Sequence, residues 1–335
     1  MANPNIVIAG AGSIGCFVGG VLAAAGYRVV FLGRPRILDT IREHGLTLTD
    51  FSGMSQTVAP LTVAVSTDPA VLAEADIVLV TVKSGATAEM TALIAQHARP
   101  GVTVVSLQNG LSNVETLASG LPGLDVRAGM VPFNVVPMDA GRFHRSTSGD
   151  VLIEPGPGDV GNALTVLGLT VQETPDIAAI QWGKLLINLS NAPNALSGLT
   201  IRQQLLNRDW RRVVADQIAE ALRVLKAEKI TAISSTGVPV PLIPHILRLP
   251  TPLFRRIAAQ MLTIDASARS SMSYDLMQHR TTEVDALQGE IIARAARHGI
   301  PVPMCTRVAE QVKLAENAGQ GQPNLSVSVL RRAAS

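Results

Sequence analysis

Residues 5 to 32 constrain the fold more tightly than any other stretch of this chain. Asn5-Ile6-Val7-Ile8-Ala9 is a short apolar run rich in β-branched residues, the pattern of a parallel strand buried on both faces. It leads into Gly10-Ala11-Gly12-Ser13-Ile14-Gly15, a GxGxxG. The small, apolar stretch Cys16 to Ala25 follows, and then Arg28-Val29-Val30-Phe31-Leu32. Strand, glycine turn, helix and strand within about 30 residues make a βαβ unit, and that context gives the glycine motif its meaning. Gly10 permits the tight turn, Gly12 lets a pyrophosphate approach the backbone, and Gly15 brings helix and strand together. Helix N-terminal amides then face the phosphates. The segment Gly10, Ala11, Gly12, Ser13, Ile14 and Gly15 therefore reads as a dinucleotide cradle.

The same segment is apolar enough to imitate a membrane span, because Ile6 to Gly33 carries one charge, Arg28. Glycines at 10, 12, 15, 19, 20 and 26 cut it into shorter elements, and no basic segment precedes it as in a signal peptide. A buried strand-helix unit is the better reading, and no membrane partner is expected. The 335 residues suffice for one large domain or two ordinary ones, and 47% hydrophobic against 16% charged residues predicts a sizeable core. A net charge of +2 argues neither for nor against nucleic acid, but only 3% aromatics and no basic run interleaved with aromatics argue against it as a partner. The two cysteines, Cys16 and Cys305, form neither a disulfide framework nor a CxxC metal pair. That fits a reducing cytoplasm, and no metal is expected.

The end of the second strand discriminates between dinucleotides. An NAD site would place an acid there for the ribose hydroxyls. This chain has Gly33-Arg34-Pro35-Arg36 and no acid before Asp39. Arg34 can meet a 2′-phosphate with a forked, charge-assisted contact, so NADP(H) is expected over NAD. Alternating units continue with a strand at Leu61 to Val65, a short helix opened by Asp68-Pro69, and a buried strand at Ile77 to Val82 followed by Lys83. A helix over Ala86 to Ala98 comes next, then a strand over Thr103 to Leu107 ending in Gln108-Asn109-Gly110. Ligands in open α/β sheets lie at the carboxyl ends of the strands, which makes Lys83 and Asn109 cofactor candidates. A solvated lysine and a plain turn are the competing readings. Arg142 to Ser148 and Val151 to Glu154 resemble an antiparallel extension.

From about Pro175 strand patterns give way to helical ones, at 177–192, 209–231, 253–280 and 282–298, with a proline-rich stretch from Val238 to Pro252. The tail from Asn317 to Ser335 is expected to fray. Between Asp176 and Arg202 the only charged residue is Lys184. On a helix Gln181, Lys184, Asn188 and Asn191 form one narrow polar stripe, with Leu185, Leu186 and Leu189 to the other side. A lone ammonium among amides suits the wall of a polar pocket, where desolvation would lower its pKa toward neutrality. A lysine snorkelling to the surface is the plainer alternative. Glu283 opens a helix, where a carboxylate also suits the macrodipole. Arg269-Ser270-Ser271-Met272 offers hydroxyls to a carboxylate or to solvent.

GAGSIG near residue 10, Val82-Lys83, Gln108-Asn109-Gly110, Trp182-x-Lys184-Leu185-x-x-Asn188, Ser270-Ser271-Met272, Thr282-Glu283-Val284-Asp285 and His298-Gly299-Ile300-Pro301-Val302-Pro303 occur in this order. Over about Ile6 to Glu316 the chain thereby resembles the ketopantoate reductase (2-dehydropantoate 2-reductase) family. The resemblance implies a Rossmann-type, doubly wound α/β domain for NADPH followed by an all-α domain, with an active site in the cleft between them. Residues 1–175 would form the first domain, 176–316 the second and 317–335 a flexible tail. It implies that Lys184 is the general acid and that Glu283 holds a substrate hydroxyl. Ser271 would contact the substrate carboxylate, Asn188 would line the pocket, and Asn109 and Lys83 would touch the cofactor. The family's second asparagine, eight residues after the lysine and before a proline, is Ala192 here. Asn191 and Asn194 on either side are counted with Asn188 and Ser271 as substrate-binding candidates. The expected activity is NADPH-dependent reduction of a small 2-oxo acid, with 2-dehydropantoate to pantoate in pantothenate biosynthesis first. Reduction of another 2-oxo acid, or a non-catalytic NADP-binding sensor, are the alternatives, and a homodimer is an open option.

Overall fold

The computed structural model describes residues 3–234, 237–259, 262 and 268–331. Its contacts divide the chain into two compact units, Met1–Ala178 and Ala179–Ser335.

In the first unit the elements run β1 (Ile6–Ala9), α1 (Ser13–Ala24), β2 (Val29–Leu32), α2 (Pro35–His44), β3 (Leu46–Asp50), β4 (Ser55–Val58), β5 (Ala64–Ser66), β6 (Ile77–Val80) and α3 (Thr87–His97). They continue with β7 (Thr103–Ser106), α4 (Ser112–Gly120), β8 (Asp125–Met130), β9 (Val135–Pro137), β10 (Arg142–Arg145), β11 (Val151–Ile153), α5 (Val160–Ala163) and β12 (Val171–Glu173). The main sheet has the order β12-β11-β8-β7-β6-β1-β2-β5, parallel from β5 through β8, as a doubly wound fold requires. Every residue of β1 and β6 is buried, which explains their unbroken apolar sequences. The expected strand at Leu61 to Val65 is a short edge strand, β5, preceded by a 3-10 turn at Pro60–Thr62. Asp68 caps the next turn by accepting from the Ala70 amide at 2.9 Å.

A second sheet, β4-β3-β10-β9, corrects the expected extension. Only β11 runs antiparallel beside β8, whereas β10 pairs parallel with β3 and antiparallel with β9. Leu46 and Leu48 of β3 point inward on alternate positions and pack against α1. Helix α1 consequently lies between two sheets, and its glycines make the room. A Cβ at Gly19 would sit 2.6 Å from Ile8, and one at Gly20 2.8 Å from Leu48.

The second unit is helical: α6 (Ile177–Asn188), α7 (Asn191–Ser197), α8 (Ile201–Leu206), α9 (Arg208–Ala227), α10 (Ile243–Arg248), α11 (Thr251–Ile257), α12 (Ser271–Met277), α13 (Glu290–Arg297), α14 (Pro303–Ala318) and α15 (Val327–Arg331). Helix 177–192 is interrupted. It ends at Asn188 and restarts at Asn191, because Pro193 has no N–H for the Leu189 carbonyl four residues earlier. The predicted helix 253–280 is two, α11 and α12, and its residues 260–261 and 263–267 lie outside the described residues. Helix 282–298 begins with a π-helical turn, Asp285–Gly289, before α13. The sequence reading did not anticipate α14. Over its described residues, 317–331, the tail corrects the expectation of fraying. The Leu325 amide donates to the Leu196 carbonyl at 2.8 Å, and Leu330 of α15 is fully buried.

Candidate active site

In the first unit the three motif glycines have separate causes. Gly10 has φ +117°, and a Cβ there would meet the Val82 amide at 2.6 Å. At Gly15 a Cβ would press on Ile8 at 2.8 Å and on the Thr81 hydroxyl. Thr81 also donates from Oγ1 to the Gly10 carbonyl at 2.6 Å, which locks the turn. Gly12 differs, since a Cβ there would find nothing nearer than Thr81 O at 3.9 Å. Protein packing does not require its bare Cα. The space a side chain would fill lies at the start of α1, which has no side-chain cap and no acid in its first turn. Ala11, Ser13 and Ile14 complete this turn. A phosphate fits there on steric and electrostatic grounds alike.

Gly33 brings the end of β2 against the same turn, since a Cβ there would meet that of Ala11 at 2.8 Å. Arg34 follows at the N-cap position of α2, exposed and without an ion pair among the described residues. The nearest acid along the sequence, Asp39, is held by Arg42 at 2.7 Å. At the carboxyl ends of β6 and β7, Lys83 is exposed and Asn109 half-buried. A polar network the sequence reading missed ties these two loops together. Asn113 donates to the Ser84 hydroxyl at 3.0 Å and to the Asn109 carbonyl at 2.5 Å, and Ser84 donates to that carbonyl at 3.1 Å. Gln108 donates to the Val82 carbonyl at 2.9 Å and to Thr87 at 2.7 Å, and Thr87 donates to Asn113 at 2.8 Å. The available signal was Gln108 itself, an amide directly following a buried apolar strand.

In the second unit α6 carries the polar stripe. Gln181, Lys184 and Asn188 are half-buried, while Leu185, Leu186 and Leu189 are fully in the core. Trp182 is fixed beneath the Arg294 guanidinium, 5.0 Å from its ring centre. Gly183 admits the backbone of Ile233, whose amide bonds the Ala179 carbonyl at 2.9 Å. Burial pushes the Lys184 ammonium down from 10.5 to about 8, and the Glu283 carboxylate opposes that fall. The two residues expected to act together are thus electrostatically coupled. Glu283 stands two residues before the π-helical turn, a local register change that is frequent at functional sites.

The other candidates divide. Asn191 is half-buried at the start of α7, and its carbonyl accepts from the Ser270 hydroxyl at 3.0 Å. Ser271 is exposed in the first turn of α12. Asn194 is a correction: it is buried and its amide is fully occupied. Its Oδ1 accepts from the Ser270 amide at 3.0 Å and the Ser273 hydroxyl at 2.8 Å. Its Nδ2 donates to the Leu199 carbonyl and to Gln204, both at 3.0 Å. It joins α7 to α12 and has no atom to offer a ligand. Ala192 is fully buried. Among the described residues no helix is long and apolar enough to cross a membrane, and no group of three or more His, Cys, Asp or Glu is placed to hold a metal.

A doubly wound sheet with an open glycine cradle, followed by a helical unit holding a coupled Lys-Glu pair, defines a nicotinamide-dinucleotide-dependent oxidoreductase. Residues 6–158 match the family "Ketopantoate reductase PanE/ApbA" and residues 176–316 its C-terminal counterpart, so the chain belongs to the ketopantoate reductase family. It is 31% identical over 324 residues to the 2-dehydropantoate 2-reductase of Halobacterium salinarum, covering 94% of this chain and 100% of that one. The crystal structure of a PanE/ApbA family ketopantoate reductase from Ralstonia eutropha JMP134 superposes with a TM-score of 0.81 at 29% identity, covering 94% and 99% of the two chains. A D-mandelate dehydrogenase solved with NADH and anilino(oxo)acetate has a TM-score of 0.77 at 21% identity, covering 94% and 99%, a likeness of fold.

Proposed function

We propose that this protein reduces a small 2-oxo acid with NADPH in the cytoplasm, with 2-dehydropantoate as the first candidate substrate and pantoate as its product in pantothenate biosynthesis. The observation that carries the reading is Lys184, a half-buried ammonium in an otherwise uncharged helix, held near pH 8 and coupled to Glu283. The Gly10–Gly15 turn, Arg34, Lys83 and Asn109 are the residues that would hold NADPH, whose nicotinamide supplies a hydride when bound. Arg34, with no acid paired to its guanidinium among the described residues, favours the 2′-phosphate. Lys184 donates its Nζ proton to the keto oxygen, which stays on its carbon as the hydroxyl of the 2-hydroxy acid, and the amine is left neutral. Its positive charge stabilises that oxygen as negative charge develops on it. Glu283 favours the protonated lysine and accepts from a substrate hydroxyl. Asn188 and Asn191 line the substrate side, and Ser271 meets the carboxylate.

Ala192 favours a second reading. The amide the family places at this position is absent from the chain, and losing a polar contact suits a 2-oxo acid with a less polar side chain than ketopantoate. Steady-state oxidation of NADPH and NADH against a panel of 2-oxo acids, including 2-dehydropantoate and branched apolar analogues, tests both readings. The greatest kcat/KM is expected with NADPH and 2-dehydropantoate. A clear preference for an apolar analogue would move the assignment to the second reading, and no turnover with any member would refute both.

A further inference from the structure

The interruption between α6 and α7 leaves the Leu189 carbonyl inside the core without its helical donor, since the residue four ahead is Pro193. A buried carbonyl in that position needs a partner. Two glutamines supply it, both fully buried and both remote in sequence. Gln288 donates from Nε2 at 3.1 Å and Gln217 from Nε2 at 3.4 Å. Gln288 also donates to Gln217 Oε1 at 3.0 Å. Its two partners are both acceptors, which fixes the orientation of its amide. Its own Oε1 has no hydrogen-bond partner among the described residues, a cost to stability that an apolar side chain would not carry.

The location of this bridge matters more than its strength. Gln217 belongs to α9, and Gln288 belongs to the π-helical turn Asp285–Gly289. Lys184 lies five residues before Leu189 on α6, and Glu283 lies five residues before Gln288. The bridge therefore links the end of the helix that carries the ammonium to the turn that follows the carboxylate. We propose that Gln288 and Gln217 are positioning residues that clamp the α6–α7 interruption to the turn after Glu283 and so hold Lys184 and Glu283 in register. The inference rests on the proposed roles of Lys184 and Glu283.

The test combines Gln288→Met with a rescue, Gln288→Met/Pro193→Ala, in the full chain. Titration of Lys184 is followed by NMR on lysine-labelled protein, alongside kcat, KM and thermal stability. Glu283 is the charge that raises the Lys184 pKa against burial, and α6 itself has no other ionisable group. Arg294 of α13, over Trp182, is itself paired with Glu228 and Glu290. Moving Glu283 away should therefore shift the Lys184 titration to lower pH. Gln288→Met is expected to lower kcat about ten- to a hundred-fold, with little change in KM, as small misplacements of catalytic groups do. Pro193→Ala restores an N–H donor to the carbonyl but not the tie to the turn. Thermal stability should then recover while kcat and the titration stay displaced. Recovery of all three in the double variant would overturn the proposal and reduce the glutamine to filling a hydrogen bond. An unchanged Lys184 titration in a folded Gln288→Met protein would also overturn it. If Gln288→Met alone does not fold, the double variant carries the same comparison. Wild-type protein without turnover on any 2-oxo acid would refute the proposed function, and the NMR comparison would still decide the clamp.

Discussion

Replacing Lys184 by Met should destroy activity and raise stability together, a pairing that a structural or merely solvated lysine would not produce. Methionine keeps most of the aliphatic stem and removes the charge. Loss of a positioned general acid costs about 10²–10⁴ in rate, and losing the charge beside the developing alkoxide adds to it. The stability effect follows from the titration. An ammonium with a pKa of 10.5 in the unfolded chain and about 8 in the folded one binds its proton less tightly when folded. Folding is therefore penalised below about pH 8, and the penalty lifts as pH rises from 8 to 10.5. The full shift corresponds to about 3 kcal/mol, and partial exposure of the residue reduces this to roughly 1–2 kcal/mol. Urea melts at pH 7 should show Lys184→Met more stable by that amount, with the difference shrinking toward pH 10. Initial rates of NADPH oxidation by the wild type should hold up to about pH 7 and fall tenfold per pH unit well above pH 8. Retention of more than a tenth of wild-type turnover by Lys184→Met, or a rate flat to pH 10, would refute the assignment of Lys184 as the acid.

Three further outcomes are expected. Gly12→Ala should leave the melting temperature nearly unchanged yet weaken NADPH binding measured by calorimetry, because its Cβ meets only the space beside the turn; Gly15→Ala, whose Cβ meets Ile8 at 2.8 Å, should destabilise the fold itself. Arg34→Ala should raise the NADPH KM about ten- to a hundred-fold, the worth of a charge-assisted hydrogen bond, and barely alter the NADH value; equal loss with both cofactors would remove Arg34 from 2′-phosphate recognition. Asn109→Ala should weaken NADPH binding while keeping the bonds that Ser84 and Asn113 donate to the Asn109 carbonyl, which the substitution leaves in place; unchanged binding and turnover would make it a turn residue only.

Legibility in the sequence followed the range of the interactions involved. The βαβ opening was readable because strand, turn, helix and strand follow one another within about 30 residues, although Gly10 and Gly15 also make room for Val82 and Thr81 far along the chain. The second sheet was half readable. Leu46-Thr47-Leu48-Thr49-Asp50 alternates as a one-sided strand should, but the parallel partner of β3 is Arg142–Arg145, nearly a hundred residues later. The interruption of helix 177–192 was written in Pro193, whose effect falls on residue 189 and not on the proline itself. The π-helical turn was not readable, since one extra residue in a turn is stabilised by what it packs against. The same limit explains the two asparagines. Asn188 continues the Lys184 stripe on α6, whereas Asn194 lies beyond an interruption that resets the helical phase and turns it into the core. Lys184 was legible for the opposite reason. A lysine can be desolvated only where its surroundings lack water and competing charge, and a run of 25 residues with no other charged side chain is how such surroundings look along a chain. The acid role proposed for it then depends on one long-range addition, the carboxylate of Glu283, which opposes the fall in its pKa that burial causes.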